Sequence, residues 1–369
     1  MKRIRVLITS PSLDTTKNVG GISNLTRLLI DKNKDIDFTH FIVGKEDSQR
    51  RNVQWFFSQF RKIVNFYNTI KRNQIEIVHI NYPMSELSII INLLLVVISS
   101  QIAKVKTIVH LRGGVLSLNH NIRWYQKNII RSSLKNASMI FVLGNREKDY
   151  INSFYKIAKE NIAVLPNSVE VPDSSFVLDK INRRLTTELP LNILFIGRID
   201  KNKGLREILS ALEFIKGKEK HFNFYLAGTG PEVIEFTDQC NKILREKFSY
   251  CGVLNYEEKH KLFEDIDVFL LPSYFEGLPN GLLETMAYGI IPIVTPVGSI
   301  PEVVSDNLTG YYVKIQDSES IASIIESIIF DRDRIRLIGL NCYNLIKEKY
   351  SILNYIIKIN NLYGIVIKQ

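Results

Sequence analysis

The stretch FEGLPNGLLE, Phe275 to Glu284, sets two carboxylates eight positions apart around a turn rich in Gly, Pro and Asn. Glu276 falls just after an apolar run, DVFLLPS (267–273), that reads as a strand. Glu284 falls about one turn into a helical pattern, GLLETMAYG, that Gly289 would stop. Two cations stand in a similar place. Arg198 ends the run NILFIGR (192–198), and Lys203 follows in IDKNKG. Guanidinium and ammonium groups just past a strand suit a diphosphate, which offers charge and several acceptor oxygens. The unpaired N–H groups at the helix start, around Asn280–Leu282, attract an anion for the same reason. A carboxylate such as Glu284 can accept from the vicinal hydroxyls of a ribose, and Glu276 from those of a second sugar. LAGTGPE (226–232) adds Gly228 and Gly230 after another strand, where they would permit close approach of a base or sugar phosphate. Each feature also has a plainer explanation as solvated surface charge or an ordinary turn.

The elements that must position these groups come in two series. IRVLITS (4–10), DFTHFIV (37–43), EIVHIN (76–81), TIVHLRG (107–113), SMIFVLG (138–144) and IAVLPNS (162–168) are short β-branched runs separated by helical patterns. The alternation restarts with NILFIGR, then FNFYLAG (222–228), FSYCGV (248–253), DVFLLPS, IPIVTP (291–296) and TGYYVK (309–314). Short buried strands alternating with helices predict parallel sheets covered on both faces. The fold class is therefore α/β, two tandem Rossmann-like doubly wound domains. In such sheets ligands bind at the carboxyl ends of the strands, and a cleft between the domains is the expected site. The polar segment Val171–Pro190 reads as the connection. This gives an N-terminal Rossmann-like domain over 1–185 and a second over 186–350. Residues 351–369 form a closing helical segment, with a return to the first domain as one option.

Arg-x4-Lys-Gly, Gly-x-Gly-Pro and Glu-x7-Glu, in this order and spacing, resemble the second domain of retaining GT-B glycosyltransferases of the family 4, group 1 type. LPNSVE (165–170) and TPVGSIPEVV (295–304) resemble two further segments of that family. Asn167-Ser168 and Gly298-Ser299 each carry a small residue where the family has a second glycine. The resemblance is close over most of the second half and looser in the first. It implies that Arg198 and Lys203 bind the donor diphosphate and that Glu284 holds the ribose. It implies that Glu276 and the backbone of Gly277, Leu278, Pro279 and Asn280 contact the donor sugar. Gly20 and Gly21 would approach the sugar phosphate from the first domain, and His110 would face the donor sugar. It also implies retention at the anomeric carbon. A double displacement needs a carboxylate nucleophile, and Glu276 is the only obvious one. A front-face route, in which the leaving phosphate takes the acceptor's proton, fits better.

Charge bears on the acceptor. Residues 1–185 hold 28 Lys and Arg against 14 Asp and Glu, whereas 186–369 hold 20 against 24. RRNVQWFFSQFRKIVNFYNTIKR (50–72) reads as a basic amphipathic helix and HNIRWYQKNIIRSSLKN (120–136) as a second basic stretch. Either covers the sheet with a solvated basic face or lies on an anionic membrane. The second option suits a glycan or polyprenyl-linked sugar acceptor in surface-polysaccharide synthesis, at the cytoplasmic face of a membrane. LSIIINLLLVVISS (87–100) is too short to span one and reads as a buried helix. The three cysteines show no metal spacing. Asp35-Ile-Asp37, Asp265-Ile-Asp267 and Asp331-Arg-Asp333 sit at strand starts or in a helix, the wrong places for a metal site. No metal and no cofactor beyond the nucleotide-sugar donor are expected. The alternatives are a sugar-nucleotide epimerase or other GT-B enzyme, and a basic nucleic-acid-binding protein. No known nucleic-acid module supports the latter.

Overall fold

The computed structural model of the chain describes residues 3–369 except 16, 17, 19, 45–52, 115, 117, 120, 187 and 219–221; the side chains of 53–60 and 217–218 are also left aside. The chain divides into two compact units, 1–167 with 352–369, and 168–351. The boundary therefore falls at Asn167/Ser168, earlier than the 185/186 division read from composition. The polar stretch taken as a connection holds a helix, Ser174–Arg183, whose Val177 and Ile181 pack with Tyr343 of the second unit. Apolar residues one turn apart outweighed the polar composition around them. Ile352–Gln369 belongs to the first unit.

In the first unit the strands are β1 (Ile4–Ser10), β2 (Ile36–Ile42), β3 (Ile77–Tyr82), β4 (Lys106–Leu111), β5 (Met139–Val142) and β6 (Ile162–Val164). They form one sheet in the order β2-β1-β3-β4-β5-β6, every pair parallel. The helices are α1 (Gly21–Lys32), α2 (Val53–Arg72), α3 (Glu86–Val97), α4 (Trp124–Lys135) and α5 (Asn145–Tyr155). Side chains alternate between faces along each strand, and both faces are apolar. Leu7, Val78, Ile80, Val109 and Ile140 pack on one side with Phe66 of α2, Ile89 of α3, Ile130 of α4 and Ile151 of α5. Val6, Ile8, Ile77, Ile108 and Phe141 pack on the other with Leu25 and Leu29 of α1 and with the C-terminal helix, Ile352–Lys368. That helix buries Ile352, Tyr355, Ile359, Tyr363 and Val366, one stripe at helical spacing.

The apolar segment 87–100 forms α3 and a π-helical turn, Ile98–Ile102. It buries Ile89, Leu95 and Val96 but leaves Ile90 and Leu94 exposed, so it covers the sheet on one side only. Among the described residues no helix is long and apolar enough to cross a membrane. Of the basic amphipathic stretch 50–72, the described part puts Phe66 and Ile70 in the core and Val64 in solvent. Arg50 and Arg51, and the side chains of Trp55, Phe56, Phe57 and Phe60, lie outside the described residues.

The second unit has β7 (Leu191–Ile196), β8 (Phe222–Ala227), β9 (Phe248–Gly252), β10 (Val268–Leu271), β11 (Ile291–Val294) and β12 (Tyr311–Tyr312). Their order is β12-β11-β10-β7-β8-β9, again all parallel. Its helices are α6 (Ser174–Arg183), α7 (Leu205–Lys218), α8 (Val233–Leu244), α9 (Tyr256–Phe263), α10 (Asn280–Met286), α11 (Ser318–Phe330) and α12 (Asp333–Leu345). β10 and β8 flank β7, so the loops leaving these three strands share one edge. Asp267, just before β10, accepts from Arg184 Nε at 2.9 Å and Nη2 at 2.6 Å at the opposite edge. Within Asp265-Ile-Asp267 it is thus Asp267 that anchors a buried ion pair at the amino end of the strand.

Candidate active site

The loop leaving β7 carries both predicted cations, and glycines set its path. Gly197 N donates to Ala227 O at 3.1 Å and Ile199 N to Thr229 O at 3.0 Å, which ties the loop to the turn after β8. Gly228 has φ +125°, and a Cβ there would lie 1.9 Å from Gly197 O; a Cβ at Gly230 would lie 2.1 Å from Ile199 O. These glycines are required by close contact of backbone with backbone between the two loops. The 3-10 turn Lys201–Lys203 is capped by Asp200, whose Oδ1 accepts from Asn202 N at 2.9 Å.

The loop leaving β10 meets this turn. Tyr274 N donates to Asn202 O at 2.8 Å. Lys203 Nζ donates to Glu276 Oε1 at 2.6 Å, with the two side chains 19% and 9% exposed. A carboxylate buried this far is tolerated because an ammonium meets it. Behind Glu276, Ser299 N donates to Gly277 O at 2.9 Å, and Gly298, at φ +58°, packs with no room for a Cβ against Glu276 O. Leu278 is buried, and Pro279 precedes α10, which begins at Asn280. α10 has seven residues, under two turns, so its dipole is small and neutralisation of an anion falls mainly on side chains.

Arg198 does not join Lys203 and Glu276. Its side chain is 73% exposed, and its Nε lies 3.4 Å from Asp200 Oδ2. The Asp200 carboxylate holds one edge of the guanidinium while the rest stays in water, so Arg198 avoids the cost of desolvation. Glu284, in the second turn of α10, pairs with Lys259 Nζ at 2.8 Å. Sequence reasoning missed Lys259. The available signal was the capping box Asn255-x-x-Glu258, both bonds of which form and start α9, the helix that presents Lys259.

His110, expected to face the donor sugar, is instead fully buried in β4 and stacked on His79. Its Nε2 lies 3.3 Å from Leu165 O and its Nδ1 3.1 Å from His79 Nε2, while His79 Nδ1 lies 2.6 Å from Tyr363 Oη. A carbonyl can only accept, so the chain has one direction if both imidazoles are neutral. Tyr363 donates to His79, His79 to His110, and His110 to Leu165. Burial first, then the charge of Arg112, holds both imidazoles well below the usual range. Alternation along β4 turns His110 toward the C-terminal helix, and the residue at the strand's carboxyl edge is Arg112. Gly20 stands at the N-cap of α1 and Gly21 is its first residue, on the loop that leaves β1; Gly20 N donates to Asn18 Oδ1 at 3.0 Å. Among the described residues no group of three or more His, Cys, Asp or Glu could hold a metal ion.

The profile of the family described as "Glycosyl transferases group 1" matches residues 179–341, the unit that holds the Lys203–Glu276 pair, and that of "Glycosyltransferase Family 4" matches 35–171. The chain belongs to the group 1, family 4 glycosyltransferases. Its fold is GT-B, two Rossmann-like units. This transferase is 26% identical over 335 residues to an uncharacterized 41.2 kDa protein of the cps region of Klebsiella pneumoniae, covering 84% of this chain and 87% of that one. It is 20% identical over 324 residues, 85% of this chain and 81% of the other, to the UDP-Gal:alpha-D-GlcNAc-diphosphoundecaprenol alpha-1,3-galactosyltransferase of Escherichia coli. Among solved structures, sucrose-phosphate synthase from Thermosynechococcus elongatus superposes with a TM-score of 0.79 at 17% identity, over 99% of this chain and 100% of that one.

Proposed function

We propose that this glycosyltransferase moves a hexose from a nucleoside-diphosphate sugar to a glycan or polyprenyl-linked acceptor, with retention, in cell-surface polysaccharide synthesis. The observation that carries the reading is the buried Lys203–Glu276 pair where the loops leaving β7 and β10 meet. Loss of the nucleoside diphosphate leaves negative charge on a phosphate oxygen. A preorganised ammonium beside that oxygen stabilises the transition state more than the ground state. Lys203 has this role, and the hydrated Arg198 is drawn onto the diphosphate when it binds. Glu276, oriented by Lys203, accepts from hydroxyls of the transferred sugar. Glu284, oriented by Lys259, accepts from the ribose. The backbone of Gly277–Asn280 lines the sugar's side.

In the step itself the anomeric carbon–oxygen bond to the diphosphate breaks, and a bond to the acceptor oxygen forms on the same face. The acceptor's proton passes to the departing phosphate. Glu276 is committed to Lys203 and is a poor nucleophile, which favours this route over a covalent glycosyl-enzyme. The leaving charge is met by Lys203 and Arg198, so the reaction needs no divalent metal. The E. coli relative's name pairs a UDP-sugar donor with a diphosphoundecaprenol acceptor, which supports this reading. The basic first unit is the acceptor side. Trp124, 77% exposed at the start of α4, and Ile90 and Leu94 on the adjoining α3 offer a peripheral contact with an anionic membrane.

The test is a thermal-shift panel of UDP-, GDP- and ADP-sugars, followed by NMR of the anomeric configuration of the product. Stabilisation by one nucleotide class and a retained configuration are expected. No shift with any donor, or an inverted product, contradicts the reading.

A further inference from the structure

Arg112 is the first residue past β4, half-buried at the carboxyl edge of the first unit's sheet. Its guanidinium is held by three neutral acceptors from distant parts of the chain. Nε donates to Asn81 Oδ1 at 2.7 Å, Nη1 to Asn167 Oδ1 at 2.9 Å and Nη2 to Tyr355 Oη at 3.4 Å. Asn81 cannot turn away, because its Nδ2 is committed to Thr9 O at 2.7 Å and Thr26 Oγ1 at 3.2 Å. The strand exit is equally constrained. Gly114 has φ +124°, and a Cβ there would lie 2.5 Å from Met84 O.

This cation has no carboxylate within ion-pair distance among the described residues. Arg184, a buried arginine of the second unit, is by contrast met twice by Asp267. A guanidinium taken partly out of water normally recovers its lost hydration from an anion. Arg112 is instead oriented by neutral oxygens, with one N–H on each terminal nitrogen left over. Its uncancelled charge also contributes to keeping His79 and His110 neutral.

We infer that Arg112 is a substrate-binding residue, preset by Asn81, Asn167 and Tyr355 to take phosphate oxygens at the carboxyl edge of the first sheet. The choice of phosphate rests on the transferase reading above, in which the donor carries a diphosphate and a polyprenyl-linked acceptor carries another. Both sources offer the same chemistry, and the fork of Arg112 suits either.

The experiment uses the full chain and isothermal titration, with inorganic pyrophosphate and with UDP. In an Arg198→Ala/Lys203→Ala background, added Arg112→Gln is expected to weaken the remaining pyrophosphate binding about tenfold or more, and Arg112→Lys to restore part of it. On the otherwise unaltered chain, weakened UDP binding by Arg112→Gln assigns the phosphate to the donor. Unchanged UDP binding with weakened pyrophosphate binding assigns it to the acceptor. Equal pyrophosphate affinity with and without Arg112→Gln, in variants of matching circular dichroism, overturns the inference. If Arg112→Gln does not fold, phenylglyoxal footprinting of the unaltered chain decides. Protection of Arg112 by pyrophosphate supports the inference, and an unchanged modification rate defeats it. If no nucleotide sugar binds while pyrophosphate binding still depends on Arg112, the transfer reading fails and this one stands.

Discussion

Replacing Lys203 with alanine is expected to lower both stability and turnover, because the lysine proposed to meet the leaving group also neutralises Glu276. Lys203 Nζ is 2.6 Å from Glu276 Oε1, and the glutamate side chain is only 9% exposed. Removing the ammonium strands that carboxylate, which costs about 1–3 kcal/mol of folding stability. For a domain the size of unit 168–351 each kcal/mol is worth about 2–4 °C in Tm, so a fall of roughly 2–12 °C is expected. The second loss is in the chemical step. A preorganised cation at the leaving oxygen is worth about 2.7–4 kcal/mol, or roughly 100- to 1000-fold in kcat. Lys203→Ala/Glu276→Gln removes the stranded charge. It should recover most of the Tm while turnover stays low. The assay is release of nucleoside diphosphate from the best-binding donor, alongside calorimetric melting of both variants. A folded Lys203→Ala protein whose turnover stays within about tenfold of the unaltered enzyme would refute the leaving-group role. A double variant no more stable than the single one would refute the account of the ion pair.

Acid should loosen the first unit through His79 and His110. Burial depresses their folded pKa values, so below about pH 6.5 the unfolded chain binds protons that the folded chain refuses; stability is present above that pH and is lost as pH falls below it. Urea titrations from pH 7.5 to 5.5 check this, and a flat profile counts against the neutral relay. Lys180, buried beside Tyr288 O and pushed down to about 7 by burial, loses stability as pH falls from its unfolded value toward that point. Lys180→Met is therefore expected to raise Tm at pH 7 and to flatten the rise in stability between pH 7 and 9; an unchanged or lower Tm would speak against the burial penalty. Chelation by EDTA should leave transfer unchanged, and loss of activity that magnesium or manganese restores would show a metal requirement. In flotation with phosphatidylglycerol vesicles at low salt, the protein should rise with the lipid, and Trp124→Ala should weaken this; no lipid-dependent flotation removes the membrane contact.

Much of the architecture was legible in the residue order because its determinants are local. Strand faces repeat every two residues and helix stripes every three to four, so VLITS-like runs and the 352–366 stripe reveal themselves without neighbours. A parallel sheet then puts its functional loops at the carboxyl ends of strands, and that places Arg198, Lys203 and Glu276 on one edge before any coordinates are known. What lay beyond the sequence is which groups touch. Lys203 and Glu276 are 73 residues apart, and His79 and Tyr363 are 284 apart. No local period encodes such pairings; they follow from strand order and from the C-terminal helix closing over the first sheet. That closure buries His110 and leaves Arg112 at the edge. The close approach of two loops demands Gly228, and a hydrated tip explains why Arg198 stands apart from Lys203. Residue types set the available chemistry, and the packing of distant segments decided which charges are met, which are buried and which are left for a substrate.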